Sequence, residues 1–197
     1  MGHSQAEKAQ SRERILKEAA DQIREGGLDS VSVGKLMKSV NLTHGGFYGH
    51  FASRADLLAK ALERALDAGA HRSAGEELAW PHGFASFVRN YLSQAHRDSR
   101  SEGCAISALV SDVARGDVQS RAVMDSSIED YIATARRQLG DDDDTRAMFA
   151  VSAMVGALSL SRVMTDAPRS DELLRNVSEQ LISLYGPSVP ERSDNPD

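Results

Sequence analysis

The run from Val31 to Phe51, VSVGKLMKSVNLTHGGFYGHF, constrains this chain more than any other segment. Val33, Leu36, Met37 and Val40 recur at the spacing of one helical face, and Ser32 stands where a helix cap belongs. Asn41 follows, and Asn tolerates the left-handed conformation that ends a helix. Thr43 is a second cap, and a further helix is expected over about His44 to His50, with Phe47 and Phe51 one turn apart on its inner side. Two short helices joined by so tight a turn form a helix-turn-helix, whose second helix enters the major groove of DNA.

The glycines sharpen this reading. Gly45, Gly46 and Gly49 each cost about 1 kcal/mol relative to Ala within a helix. A segment that breaks a local rule so often gains something elsewhere. The gain expected here is close approach of backbone N–H groups to phosphate, with Thr43, His44, Tyr48 and His50 supplying donors on the outer side.

Three pieces of sequence then carry a resemblance: Ser11-Arg-Glu-Arg-Ile-Leu16, Val31-Ser-Val33 and the run LTHGGFYGHFASRADLL from Leu42 to Leu58. Together they resemble the N-terminal domain of the TetR/AcrR family of transcriptional regulators. Gly103-Cys104-Ala-Ile-Ser-Ala-Leu and Val155-Gly-Ala-Leu resemble one branch of that family more loosely. The resemblance implies that Thr43, His44, Gly45 and Gly46 lie nearest the base edges. It places Tyr48 and His50 at phosphate, and Ser32 and Arg54 at helix starts that touch the DNA backbone. Lys35 is a further candidate. None of the expected base readers is a bidentate Arg or Asn, so discrimination draws partly on close contact and DNA shape. Leu36, Val40, Phe47 and Phe51 are expected to be scaffold.

The charge distribution fits. The net charge is −6, but residues 1–64 hold 10 Lys/Arg against 8 Asp/Glu, and the remainder 13 against 21. The basic side travels with the reading segment, and the acidic remainder is expected to face away from DNA. A single cysteine excludes an internal disulfide framework. No cationic start with an apolar signal region is evident, and no apolar run reaches the ~18 residues that span a membrane. A soluble, cytoplasmic protein is expected.

Every long segment reads as helix, so the expected fold class is all-α: a three-helix DNA-binding domain over 1–52, a larger helical regulatory and dimerisation domain over 53–186, and a disordered tail over 187–197. A first helix is expected from about Ala6 to Glu25. Ser53 with Asp56 starts another, and Trp80-Pro-His-Gly83 marks a break. Further helices are expected over about Cys104–Arg115, Val118–Leu139, Arg146–Met164 and Ser170–Tyr185. Asp112 and Arg162 fall on two of these and are a candidate ion pair, with an exposed Arg162 at the edge of the bundle the equal alternative. The stretch from Arg146 to Met164 is apolar nearly all round, with small residues at Ser152, Ala153, Gly156 and Ser159. With residues 170–185 it is the expected homodimer interface, a four-helix bundle about a two-fold axis.

For the small-molecule effector, candidate lining residues are Phe84, Phe87, Tyr91, Cys104, Leu109, Tyr131, Met154 and Arg162, with plain core packing the alternative for most of them. Arg162 is charged within an apolar helix and calls for an acid or an anionic ligand. Cys104 follows Gly103 at a helix start, where the dipole favours thiolate, so it is read either as an oxidant or electrophile sensor or as a small buried hydrophobe. No cofactor, metal site or enzymatic constellation is expected: metal spacings, a phosphate loop after a strand, and a His/Asp partner for Cys104 are all missing. The expected function is a dimeric DNA-binding repressor. The competing reading is a helical small-molecule-binding or scaffolding protein without specific DNA recognition.

Overall fold

The helical periodicities resolve into nine α-helices and two short 3₁₀ helices, with no strand among the described residues. The structure is a computed structural model that describes residues 5–74, 83–99, 103–140, 142 and 144–186. The tail from 187, most of the Trp80–Gly83 break and the aspartates at 141 and 143 therefore lie outside the described residues.

Helix α1 (Gln5–Gly26) buries Ile15, Ala19, Ala20 and Ile23 and stops at Gly27, whose φ of 78° suits a residue without Cβ. A single 3₁₀ turn (Leu28–Ser30) leads to α2 (Val33–Ser39). Asn41 adopts φ 58°, as its side chain permits. Asn41 N–H then bonds to the Lys38 carbonyl (3.1 Å) and Leu42 N–H to the Met37 carbonyl (2.8 Å), which closes α2 as a Schellman motif. Helix α3 (Arg54–Ala74) starts as expected: Asp56 N–H bonds to Ser53 Oγ at 3.0 Å, and the Asp56 carboxylate accepts from Ala52 N–H at 3.0 Å.

The remaining helices are α4 (Gly83–Tyr91), α5 (Gln94–Asp98), α6 (Ala105–Ala114), α7 (Val118–Leu139), α8 (Asp144–Ser161) and α9 (Ala167–Tyr185). Periodicity alone does not reveal α5, since five residues carry too little of a helical stripe. Its signal is local: Ser93 caps it by accepting from His96 N–H at 3.2 Å. Asp166 caps α9 in the same way three residues ahead of Arg169, which moves its start before the expected Ser170.

Helix α3 packs against both α1 and α7, so the boundary expected at 52/53 falls at the start of a helix shared by two bodies. One buried apolar cluster runs without a break from Ile15 and Phe47 through Leu57 and Leu62 to Leu109, Met154 and Leu181. Helices α7, α8 and α9 pack in series at its far end.

One charge sits inside this junction. Arg24, on α1, is the buried charged residue among those described. Its Nη2 donates to the Ala65 carbonyl of α3 at 2.6 Å and reaches towards the Gly103 carbonyl, ahead of α6, at 3.4 Å. A buried guanidinium requires such acceptors, because its desolvation is otherwise uncompensated. Replacing it by a side chain of similar bulk without donors, Arg24→Met, leaves buried carbonyls short of a donor. The expected loss is about 2 kcal/mol of folding stability, read as a lower urea midpoint at unchanged slope.

Candidate nucleic-acid interface and sensor cluster

The segment expected as the reading helix is a 3₁₀ helix, His44–Gly49, rather than an α-helix. Gly46 N–H bonds back to the Thr43 carbonyl at 3.0 Å, the tighter i to i+3 pattern. Three glycines in six residues remove the side-chain packing and propensity that would favour an α-helical turn. The two hydroxyls expected as caps do not cap. Ser32 and Thr43 both occupy the N-cap position with extended backbone, but neither side chain bonds a helix N–H. With no N–H to serve, both residues lie exposed.

The segment is divided cleanly between inside and outside. Phe47 and Phe51 are buried and stack at 5.6 Å, with Leu36 and Met37 buried in the same cluster. Thr43, His44, Gly45, Lys35 and Ser32 are exposed, and Tyr48, edge-on to Phe47 at 5.2 Å, is 71% exposed. Gly46 is half-buried. Positive φ is not what selects Gly45 and Gly49, for neither adopts it. Nor is crowding, since a Cβ at either position would meet nothing within 4 Å. Nothing within the subunit accounts for their being glycine, so the requirement comes from outside it.

One expected contact is already in use, and a second is half-buried. Arg54 donates from Nε and Nη2 to the Val31 carbonyl and from Nη2 to the Leu28 carbonyl, at 3.1–3.3 Å, so its guanidinium braces the entry to α2. His50 is half-buried at the far end of the reading segment. Burial, and then the charges of Lys8 and Arg12, hold its imidazole below the usual range, so it is neutral at neutral pH.

The expected effector residues divide into groups. Phe87, Tyr91, Tyr131 and Cys104 come together: Tyr131 lies 5.7 Å from Phe87 and 5.6 Å from Tyr91, ring to ring. The Tyr91 hydroxyl sits beside the Cys104 thiol without the alignment of a hydrogen bond. The Tyr91 and Tyr131 hydroxyls are buried without hydrogen-bond partners, and burial first, then the nearby Cys104, pushes both well above the usual phenol range. Cys104 itself is buried at the N-cap of α6. Leu109 and Met154 belong to the common core, and Phe84 packs apart, edge-on to Tyr185 of α9 at 6.1 Å.

His96 completes this cluster, and no sequence signal singled it out. Its Nε2 accepts from Cys104 N–H at 2.9 Å, which puts the proton on Nδ1, 2.7 Å from the Tyr91 carbonyl. Burial lowers the His96 pKa and the bond to the Tyr91 carbonyl partly opposes this, so the neutral tautomer is the one the site holds.

The pairing of Arg162 with Asp112 is overturned. Arg162 donates to the His96 and Arg97 carbonyls (3.1 and 3.2 Å) and to Ser107 Oγ (2.9 Å), while Asp112 pairs with Arg115. Helix α5 brings free carbonyls to the guanidinium, and Asp112 lies one turn from a basic residue on its own helix. A cleft of about 600 Å³ between α4, α5 and α9, lined by Arg89, Leu92, Asp171, Arg175, Ser178 and Glu179 among others, contains none of the expected effector residues.

Comparison with known proteins agrees with this layout. Residues 15–61 match the bacterial regulatory proteins of the tetR family. No curated protein sequence matches the chain. Among solved structures, the reduced form of Escherichia coli NemR superposes with TM-score 0.74 at 19% identity, covering 91% of this chain and 100% of that one. A TetR transcriptional regulator from Chloroflexus aurantiacus gives 0.70 at 20% identity, with 90% and 95% covered. One from Cytophaga hutchinsonii gives 0.72 at 15%, with 92% and 98% covered. At these identities the likeness is one of fold.

If the glycines answer to a duplex, Gly45→Ala separates stability from binding. Thermal stability is expected to stay unchanged or rise by up to about 1 kcal/mol. Affinity for DNA should fall at least about tenfold in a shift assay.

Proposed function

We propose that this chain, whose residues 15–61 match the bacterial regulatory proteins of the tetR family, is a dimeric, effector-responsive repressor acting on a palindromic operator. The observation that carries the reading is the split reading segment. Phe47 and Phe51 are sealed inside, while Thr43, His44, Gly45, Tyr48 and Gly49 are turned out, and neither φ nor crowding requires glycine at 45 or 49. Thr43, His44, Gly45 and Gly46 would meet base edges, and Ser32, Lys35, Tyr48 and His50 the backbone.

The dimer is supported by α8. Met148, Phe149, Ser152 and Leu160 are exposed, and Val155, Gly156 and Ser159 are half-buried, at the spacing of one helical stripe, and Val163 is exposed in the turn that follows. A Cβ at Gly156 would meet nothing within 4 Å, room that a second helix would fill. Leu184 of α9 is also 59% exposed. Pairing residues 146–164 and 170–185 across a two-fold axis would cover these apolar groups and carry two reading segments into major grooves about 34 Å or more apart.

The effector reading rests on Tyr91, Tyr131 and Cys104. Two buried phenol donors without acceptors, beside a thiol, suit a small molecule that brings a hydrogen-bond acceptor, and a quinone-like electrophile brings both an acceptor and a site for the thiol. Among the described residues no helix is long and apolar enough to cross a membrane.

The reading is tested with a duplex drawn from upstream of the chain's own coding region. Specific, salt-sensitive binding that a quinone-like electrophile relieves is expected, and equal weak binding to any duplex would overturn it. Cys104→Ser should keep the binding and lose the relief. Leu160→Arg should shift the chain to monomer in sedimentation and weaken operator binding at least about tenfold.

A further inference from the structure

Three groups meet where the reading segment ends. Arg12 of α1 donates from Nη1 to the His50 carbonyl, and its guanidinium lies over the Phe51 ring, 4.6 Å from the centroid. Lys8, one turn earlier on α1 and exposed, adds its charge to the same corner. His50 is half-buried between them, with its Nδ1 buried and without a hydrogen-bond partner.

The charges that act on His50 are both positive. Asp56 of α3 is held by Lys60 and by the Ala52 N–H, and its carboxylate also feels Arg12. The corner therefore gathers two cations and an uncharged imidazole on the same protrusion that exposes Tyr48, and Asp56 is not among the charges that act on the His50 imidazole. Such a place is stabilised by an anion, and the anion this surface would meet is the phosphodiester of a duplex.

Resting on the DNA-binding reading above, we propose that Lys8, Arg12 and His50 form a phosphate-binding corner at the end of the reading segment, and that His50 takes up a proton as the duplex docks. In the free protein the two cations favour neutral imidazole. A phosphate oxygen between them reverses that field and makes the imidazolium a charge-assisted donor. The proton comes from solvent, and no bond other than N–H forms.

The signs follow from which state binds the proton. In the free fold the His50 pKa is lowered, so folding loses stability as pH falls below 6.5 and through the lowered value. On DNA the pKa is raised relative to the free fold, so affinity is greatest at low pH and is lost as pH rises through the bound value. Acid thus weakens the free fold while tightening the complex. A displacement of about one unit between the two states makes binding up to about tenfold tighter at pH 6 than at pH 8.

The experiment is calorimetric titration of the full chain with the upstream duplex, in buffers of different ionisation enthalpy, between about pH 6 and pH 8. With a displacement of about one unit, uptake peaking at about half a proton per subunit is expected. It should vanish in His50→Gln and persist in His44→Gln. Because Lys8 is exposed near the start of α1, Lys8→Ala tests the corner without touching the core. It should flatten the salt dependence by about one unit of slope and reduce the uptake, since the free imidazole is then less strongly held neutral. Binding without proton uptake, or uptake that survives His50→Gln, overturns the corner and leaves the regulator reading standing. No binding to any duplex overturns both.

Discussion

The buried guanidinium of Arg24 is the constraint around which the two halves of the molecule are arranged. It leaves α1 and finds its acceptors in α3 and in the residue that precedes Cys104. Gly103 has no room for a side chain there: a Cβ would fall 2.6 Å from the Ser99 carbonyl oxygen and 2.7 Å from Arg162 Nη2. The backbone ahead of α6 is thus held from one side by Arg24 and from the other by Arg162, which also holds α5 through the His96 and Arg97 carbonyls. Cys104 N–H, the next group along, is fixed by His96. A change in the geometry of Cys104 and His96 reaches further, because the carbonyl one residue back faces Arg24 of α1, and α1 packs against α2, the helix that leads into the reading segment. A ligand biases such an arrangement only by binding one geometry better than the other.

Much of this was legible in the sequence because it was written locally. Apolar spacing gave α1, α2, α7 and the Phe47–Phe51 pair. Asn41 announced a left-handed residue, and Ser53 with Asp56 announced the start of α3. What stayed hidden was tertiary. Nothing near Arg24 in sequence foretells the carbonyls of Ala65 and Gly103, 41 and 79 residues away. His96 was hidden because α5 is too short to have a period, and the partners of Arg162 were hidden with it. The error at Asp112 has the same origin. A charge in an apolar helix suggested an opposite charge, whereas a guanidinium is as well served by several carbonyls.

The reading segment shows how far local rules carry and where they stop. Helix propensity argued against an α-helix at His44–Gly49, and the structure has a 3₁₀ helix there. The cap residues Ser32 and Thr43 were recognised by type and position, but their hydroxyls do not cap. A cap-type residue whose hydroxyl bonds no helix N–H is left for solvent or for a partner outside the chain, which is the same conclusion that Gly45 and Gly49 enforce by having open space around them.

Costs without internal compensation are distributed in this molecule in a way that stability alone would not select. Buried side-chain atoms lacking a hydrogen bond occur at His50 Nδ1, at the Tyr91 and Tyr131 hydroxyls and at Arg24 Nε. Glycines that neither φ nor crowding requires occur at Gly45 and Gly49. Like charges gather at Lys8 and Arg12. An orphaned buried polar group costs about 1–3 kcal/mol and an unforced helical glycine about 1 kcal/mol, so each is a sizeable fraction of a net stability of about 5–15 kcal/mol. Apart from Arg24 Nε, which lies on the path, their positions are the two ends of the contact path through Arg24. On the reading proposed above, a duplex would supply phosphate at one end and a small molecule an acceptor at the other. Each partner would then satisfy groups that the isolated fold leaves wanting, which would make binding at either end worth more than its new contacts alone.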